Sequence, residues 1–245
     1  MSALRYLPPN AVTLASLTCG LIAILYGVEG QPQLAGWFIL YSVLLDGLDG
    51  PLARVLKAQS RIGGELDSFA DFVSFGLAPA FLLAGVGEPT GPLSGPRLLH
   101  LLGLIYVFGC VLRLARYNVV DGKAYPGLFR GIPSTFAGGV VAASVLVAVR
   151  HSIDLETRAM GLAFLLGALG ILMVSPIYIP RVGSARTVLW KRLTVVNLAI
   201  VWILVMSRAL PEYLLACGIA YFIGGSVVGA RRVAELRRAT DSAAA

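Results

Sequence analysis

The sequence predicts an all-α integral membrane protein with about eight transmembrane helices. Of its 245 residues, 57% are hydrophobic and only 13% are charged, and the mean hydropathy is +0.81. Soluble domains carry about a quarter charged residues. Apolar stretches of roughly 18 residues or more, long enough to cross a bilayer as helices, recur along the chain. The composition therefore excludes an ordinary soluble domain.

The eight predicted spans lie at about 11–28, 34–56, 65–86, 97–117, 132–149, 159–179, 190–207 and 211–230. The second and third spans are less apolar than the others because they contain four aspartates. We interpret residues 1–232 as one transmembrane domain with its core at 7–180, and residues 233–245 as a C-terminal tail.

The basic residues are distributed unequally between the two ends of the predicted helices. Arg97, Arg150, Arg158 and Arg208 lie on one side, and the remaining sixteen of the twenty lysines and arginines lie on the other. Cytoplasmic loops carry the excess of Lys and Arg, so we expect both termini in the cytoplasm and a multi-pass protein of the cell membrane. The net charge of +7 follows this one face and favours anionic lipid headgroups over nucleic acid as the partner.

The four aspartates follow the pattern D-x2-D-G-x2-A-R-x8-G-x3-D-x3-D. Residues spaced at i, i+3, i+4, i+7 and i+8 lie on one face of a helix. The first such stripe consists of Asp46, Asp49, Gly50, Ala53 and Arg54. A second stripe consists of Gly63, Asp67 and Asp71. If these stripes face each other across a helical hairpin, four carboxylates converge beside small residues. Ionisable groups at membrane depth usually mark a functional site.

Converged carboxylates repel one another and must be protonated or neutralised by cations. Their oxygens suit hard divalent ions such as Mg²⁺, Mn²⁺ or Ca²⁺, and the absence of Cys and His near the pattern argues against zinc. The alternative is structural: some aspartates cap helices or pair with Arg54, Lys57 or Arg61. A two-metal site would suit a reaction at a phosphate, with Arg54 holding a phosphate oxygen.

The segment Asp46–Arg54, followed by Gly63, Asp67 and Asp71, resembles the complete signature of the CDP-alcohol phosphotransferase family. Further segments resemble the branch of that family whose acceptor is serine: Leu7–Thr13, Glu65–Ala80, Leu112–Asn118 and Gly131–Ser134. The likeness covers about residues 7–180. It implies a helical bundle of that family's type and a catalytic role for the transmembrane domain.

The resemblance also implies residue roles. Asp46, Asp49, Asp67 and Asp71 would bind two divalent cations, Mg²⁺ or Mn²⁺ with Ca²⁺ as a further candidate, and Asp71 would also be the general base. The CDP-diacylglycerol-binding residues would be Gly50, Ala53, Arg54 and Gly63. The expected reaction transfers the phosphatidyl group from CDP-diacylglycerol to L-serine, giving phosphatidylserine and CMP at the cytoplasmic face of the membrane.

A serine site needs a fixed cation and hydrogen-bonding groups. Arg113 and Arg116 stand at i and i+3 on one helical face, with Asn118 and Ser134 nearby in the expected fold. A guanidinium can bind a carboxylate bidentately, so we assign these four residues to serine. The alternative is that the arginines are ordinary positive-inside anchors.

Two other functions stay open at this stage. The same chemistry could use glycerol 3-phosphate, inositol phosphate or another small alcohol. A metal or ion transporter could use the buried aspartates, although the other spans supply no acidic relay. We also expect a homodimer. The pattern Gly225–Gly229 is of the kind that brings helices together, either between subunits or within one chain.

Overall fold

The computed structural model describes residues 3–86, 96–121, 127–181 and 188–244, and these ranges are almost entirely helical. In chain order the elements are a 3-10 helix Ala3–Tyr6, α1 Leu7–Val28, α2 Pro32–Val55, α3 Arg61–Asp71, a π-helical segment Phe72–Leu77, α4 Ala78–Ala84, α5 Pro96–Arg116, a second π-helical segment Tyr117–Asp121, β1 Leu128–Arg130, α6 Ser134–Arg150, α7 Leu155–Val174, β2 Tyr178–Pro180, α8 Val188–Met206 and α9 Pro211–Ala244.

Each predicted span corresponds to a helical region, and the third consists of α3, the first π-helical segment and α4 in direct succession. Two boundaries differ from the prediction. The sixth helix ends at Val174, because Tyr178–Pro180 forms a strand. The last helix continues to Ala244, so the expected boundary between domain and tail at 232/233 lies inside α9.

Within the described residues, four helical stretches are long and apolar enough to cross a membrane: Leu7–Val28, Arg61–Ala84, Arg97–Val119 and Pro211–Leu236. Three shorter apolar helices accompany them, at Ser134–Arg150, Arg158–Val174 and Arg192–Met206. Large apolar side chains such as Leu25, Phe108 and Ile171 are exposed on the outer surface, as expected for residues that face lipid. The chain is therefore a helical membrane protein, and the count of eight spans stays a prediction.

Helix α2 packs against both α1 and α6, α1 also packs against α3 and α4, and α5 packs against α7. The first π-helical segment lies among α1, α4, α5 and α6. Phe75 of this segment and Tyr106 of α5 are fully buried, and the Tyr106 hydroxyl donates to the Phe75 carbonyl over 2.6 Å. This bond satisfies a backbone carbonyl in a stretch where the α-helical pattern is interrupted.

Strands β1 and β2 pair antiparallel, with Phe129 opposite Ile179. Helix α9 packs on β2: a Cβ atom at Gly225 would lie 2.9 Å from Ile179 Cγ2, and one at Gly229 would meet the Tyr178 carbonyl. The glycine pattern in α9 thus serves packing within the chain, the alternative named for it above. A homodimer stays a prediction.

Candidate active site

The two aspartate stripes face each other, as the spacing predicts. Asp46 and Asp49 lie in the C-terminal half of α2, and Asp67 lies in α3. One carboxylate oxygen of each lies within 4.8 Å of the other two. The Asp71 carboxyl lies next to the Asp46 carboxyl. Four acidic side chains from two helices therefore meet at one point of the bundle.

Threonine hydroxyl groups from neighbouring helices orient two of these carboxylates. Thr13 of α1 donates to Asp49 Oδ2 over 2.9 Å, and Thr135 of α6 donates to Asp46 Oδ2 over 3.2 Å. Neither threonine is among the site residues predicted from the sequence. Their signal was their position inside the segment Leu7–Thr13 and directly after Gly131–Ser134, two of the segments that carry the family resemblance.

One carboxylate oxygen of Asp71 accepts a hydrogen bond, and the other is buried without a donor among the described residues. Ser134 donates to Asp71 Oδ2 over 3.3 Å, and the buried Arg113 donates from Nη1 to Ser134 Oγ over 2.7 Å. Asp71 Oδ1 is buried and receives no hydrogen bond from the described residues. A buried oxygen without a donor is costly, so this atom is available to a cation or to the proton of a substrate.

The donor set fits a divalent metal. The cluster consists of carboxylate oxygens, and the group of described residues that gathers there contains no His or Cys. The structural alternative does not account for it. The side chain that caps α3 is Ser60, which accepts from the Gly63 N–H over 2.9 Å. Arg150 and His151 pair with Glu212, away from the aspartates.

A cavity of about 1800 Å³ opens beside the cluster. Its lining includes Asp46, Asp49, Asp67 and all four residues assigned to CDP-diacylglycerol, namely Gly50, Ala53, Arg54 and Gly63. A Cβ atom at Gly50 would have no neighbour within 4 Å, so this glycine faces open space. Arg54 folds back over it and donates from Nε to the Gly50 carbonyl over 3.3 Å. Side chains of α8 and α9, among them Leu193, Ile200 and Val228, form an apolar wall of the same cavity.

The four residues assigned to serine are dispersed. Arg113 and Ser134 adjoin Asp71, as described above. Asn118 donates to Ser68 Oγ over 2.9 Å in an exposed position. Arg116 donates to three backbone carbonyls, those of Arg130 at 2.7 Å, Val174 at 2.9 Å and Met173 at 3.2 Å.

We expected Arg113 and Arg116 to reach one pocket, and this geometry differs. The Arg116 guanidinium is hydrogen-bonded to carbonyls at the end of α7, whereas Arg113 adjoins Asp71. None of the four is among the cavity-lining residues of the described chain.

Three further cavity-lining residues are not among the site residues predicted from the sequence: Tyr117, Phe129 and Arg181. Tyr117 begins the second π-helical segment, Phe129 lies in β1, and Arg181 directly follows β2. The strands are three residues long, too short for an alternating pattern to reveal them. The pairing of β1 with β2 brings Phe129 and Arg181 together beside Tyr117.

Comparisons with known proteins agree with the geometry. The family model for CDP-alcohol phosphatidyltransferase matches residues 6–224. A Helicobacter pylori protein is 34% identical over 224 residues, covering 91% of this chain and 90% of its own length. A Mycobacterium tuberculosis protein is 35% identical over 214 residues, covering 84% and 72%. A Bacillus subtilis protein is 36% identical over 173 residues, covering 71% and 89%.

All three relatives are named CDP-diacylglycerol–serine O-phosphatidyltransferase. The match extends over most of the chain and includes both helices that carry the aspartates. This multi-pass membrane protein therefore belongs to the CDP-alcohol phosphatidyltransferase family.

Proposed function

We propose that this protein transfers the phosphatidyl group of CDP-diacylglycerol to the hydroxyl of L-serine, giving phosphatidylserine and CMP. The choice of serine rests on the names of relatives that share 34–36% identity with most of the chain. The observation that carries the chemistry is the meeting of three carboxylates, those of Asp46, Asp49 and Asp67, in the lining of a large cavity, with the Asp71 carboxyl next to that of Asp46. Because the relatives are named as transferases, the transporter alternative is not supported.

Asp71 acts as the general base in this proposal. Ser134 fixes its Oδ2 atom, and its buried Oδ1 atom can accept the proton of the serine hydroxyl. The hydroxyl oxygen then attacks the phosphorus that bears the diacylglycerol. The bond from this phosphorus to the bridging oxygen of the pyrophosphate breaks, and CMP leaves with that oxygen.

Asp46, Asp49, Asp67 and Asp71 would hold two divalent cations, which we propose to be Mg²⁺ or Mn²⁺. Bound cations would neutralise the pyrophosphate and stabilise the charge that develops in the transition state. Thr13 and Thr135 each occupy one oxygen of a carboxylate with a hydrogen bond. These bonds fix the orientation of the ligands before a cation binds.

The cytidine and the pyrophosphate would occupy the end of the cavity that Gly50, Ala53, Arg54 and Gly63 line. Open space at Gly50 lets a flat group approach the backbone, and Arg54 supplies a cation for a phosphate oxygen. The acyl chains would lie along the apolar wall of α8 and α9. The excess of basic residues supports a cytoplasmic orientation of this site in the cell membrane, with both termini on the same side.

The test is release of CMP by the purified protein in detergent, with CDP-diacylglycerol, Mg²⁺ or Mn²⁺, and one acceptor at a time. We expect release with L-serine and only background with glycerol 3-phosphate, inositol phosphate or water. The Asp71→Asn variant, assayed in parallel, measures contamination by other enzymes. Release with glycerol 3-phosphate but not with serine would assign the protein to the other acceptor.

A further inference from the structure

Arg181 is a cationic side chain of the cavity to which neither the family signature nor the sequence pattern gave a role. It directly follows β2, and its backbone N–H donates to the Gly127 carbonyl over 2.9 Å. This bond extends the contact between β1 and β2 by one residue. The backbone of Arg181 is thereby fixed relative to β1.

Two aromatic rings hold the Arg181 guanidinium in place. Its Cζ atom lies 4.9 Å from the centre of the Phe129 ring and 5.9 Å from that of Tyr117. The Arg113 guanidinium lies 5.6 Å from Tyr117 and 6.0 Å from Phe129. A guanidinium beside a ring face keeps the N–H donors at its edge available.

The two arginines differ in what they already bind. Arg113 is buried and donates to Ser134, which donates to Asp71. Arg181 Nε is buried and has no hydrogen-bond partner among the described residues. Of the two, only Arg181 lines the cavity that contains Asp46, Asp49 and Asp67. Arg181 therefore presents a cationic side chain to the cavity, on the side that Arg113 and Ser134 connect to Asp71.

We propose that Arg181 binds the carboxylate of the acceptor amino acid, an inference that rests on the proposed function. When the serine hydroxyl reacts beside Asp71, the serine carboxylate lies only a few bonds away. A cation on the side of the cavity near Asp71 is needed to bind this carboxylate. Arg116 is engaged with backbone carbonyls and Arg113 with Ser134. Arg54 stands over Gly50, at the end assigned to the nucleotide, and Arg231 and Arg232 line the cavity from α9, the helix assigned to the acyl chains. Arg181 provides a cation at this position, and its planar guanidinium can bind a carboxylate through two parallel hydrogen bonds.

The competing role for Arg181 is to bind the pyrophosphate of the donor. The two roles predict different kinetics, because a residue that contacts only the acceptor changes the KM for serine and not that for CDP-diacylglycerol. The informative variants are Arg181→Gln, which removes the charge, and Arg181→Lys, which keeps it but loses the fork. Arg130→Gln is the matched control: it removes a positive charge from β1 at an exposed position outside the cavity lining.

We expect Arg181→Gln to raise the KM for L-serine by more than tenfold and to change the KM for CDP-diacylglycerol by less than twofold. Arg181→Lys should show the same selectivity with a smaller rise, and Arg130→Gln should match the wild type. If Arg181→Gln fails to fold, the ratio of the two KM values in Arg181→Lys decides in its place. An unchanged KM for serine, or equal rises for both substrates, would overturn the role of Arg181. Failure of the wild type to release CMP with serine would instead overturn the proposed function itself.

Discussion

Two regions of this molecule use glycine in opposite ways. Between α5 and α7, a Cβ atom at Gly170 would lie 2.6 Å from Tyr106 Cα, and one at Gly109 would lie 2.9 Å from Gly170 Cα. Along α2 and α3, Cβ atoms at Gly47, Gly50 and Gly64 would have no neighbour within 4 Å. The first region uses glycine to bring two helix backbones into contact, and the second leaves open space where we propose that the nucleotide binds.

The contrast separates stability from activity. Substitutions in the contact between α5 and α7 should destabilise the fold, whereas substitutions around the aspartates should change catalysis and leave the fold intact. Four predictions test this division.

Removal of divalent cations should have the largest effect. Three carboxylate oxygens within 4.8 Å of one another repel strongly without a counter-ion, and the pyrophosphate would add to that charge. We expect excess chelator to abolish CMP release, and added Mg²⁺ or Mn²⁺ to restore it. Full activity in chelator would show that the aspartates work without a metal.

The Asp71→Asn substitution should have the second-largest effect on activity. The change keeps the size of the side chain and removes the proposed base, which is typically worth about 10²–10⁴-fold in rate. CMP release should fall at least that far, because the change also removes one of the four proposed metal ligands. The thermal unfolding curve in detergent should stay within a few degrees of the wild type. A wild-type rate would move the role of base to another group.

Gly170→Ala tests the other region. The new methyl group would require the backbones of α5 and α7 to separate, and overpacking of this kind costs about 1–3 kcal/mol in the free energy of unfolding. The matched control is Gly161→Ala in the same helix, where a Cβ atom meets nothing within 4 Å. Thermal unfolding should show a clear loss for Gly170→Ala and none for Gly161→Ala. Equal behaviour of both variants would contradict the close contact.

Gly50→Ala should have the smallest effect. It should change activity without lowering the stability of the fold. Alanine is favoured over glycine in a helix interior by up to about 1 kcal/mol, so the fold should be as stable as the wild type or slightly more so. The methyl group would project into the space assigned to the nucleotide. We expect the KM for CDP-diacylglycerol to rise roughly five- to tenfold, or about 1 kcal/mol. Gly103→Ala, at an open position outside the cavity lining, should leave this KM unchanged.

The sequence predicted those parts of the molecule that depend on local periodicity. The helices follow from long apolar stretches, and the meeting of Asp46, Asp49 and Asp67 follows from spacing along two helices. The resemblance to a known family gave the assignment of Gly50 and Arg54, which line the same cavity as the aspartates.

The features that the sequence did not reveal depend on contacts between distant segments. Arg116 has the same spacing and charge as an anion-binding residue, but the carbonyls that it contacts belong to β1 and to the end of α7, 14 to 58 residues away along the chain. Thr13 and Asp49 are 36 residues apart. Spacing along one helix contains no information about which neighbouring helix will supply such a partner.

The π-helical segment Phe72–Leu77 changes the rotational phase of the third membrane helix. Each residue of an α-helix advances the direction of its side chain by about 100°, and the wider π turns interrupt that progression directly after Asp71. The residues before the interruption present carboxylates toward α2, while those after it lie in backbone contact with α1, where Gly27 approaches Leu82. One continuous helix can therefore direct its first half to chemistry and its second half to close packing, with neither requirement fixing the orientation of the other.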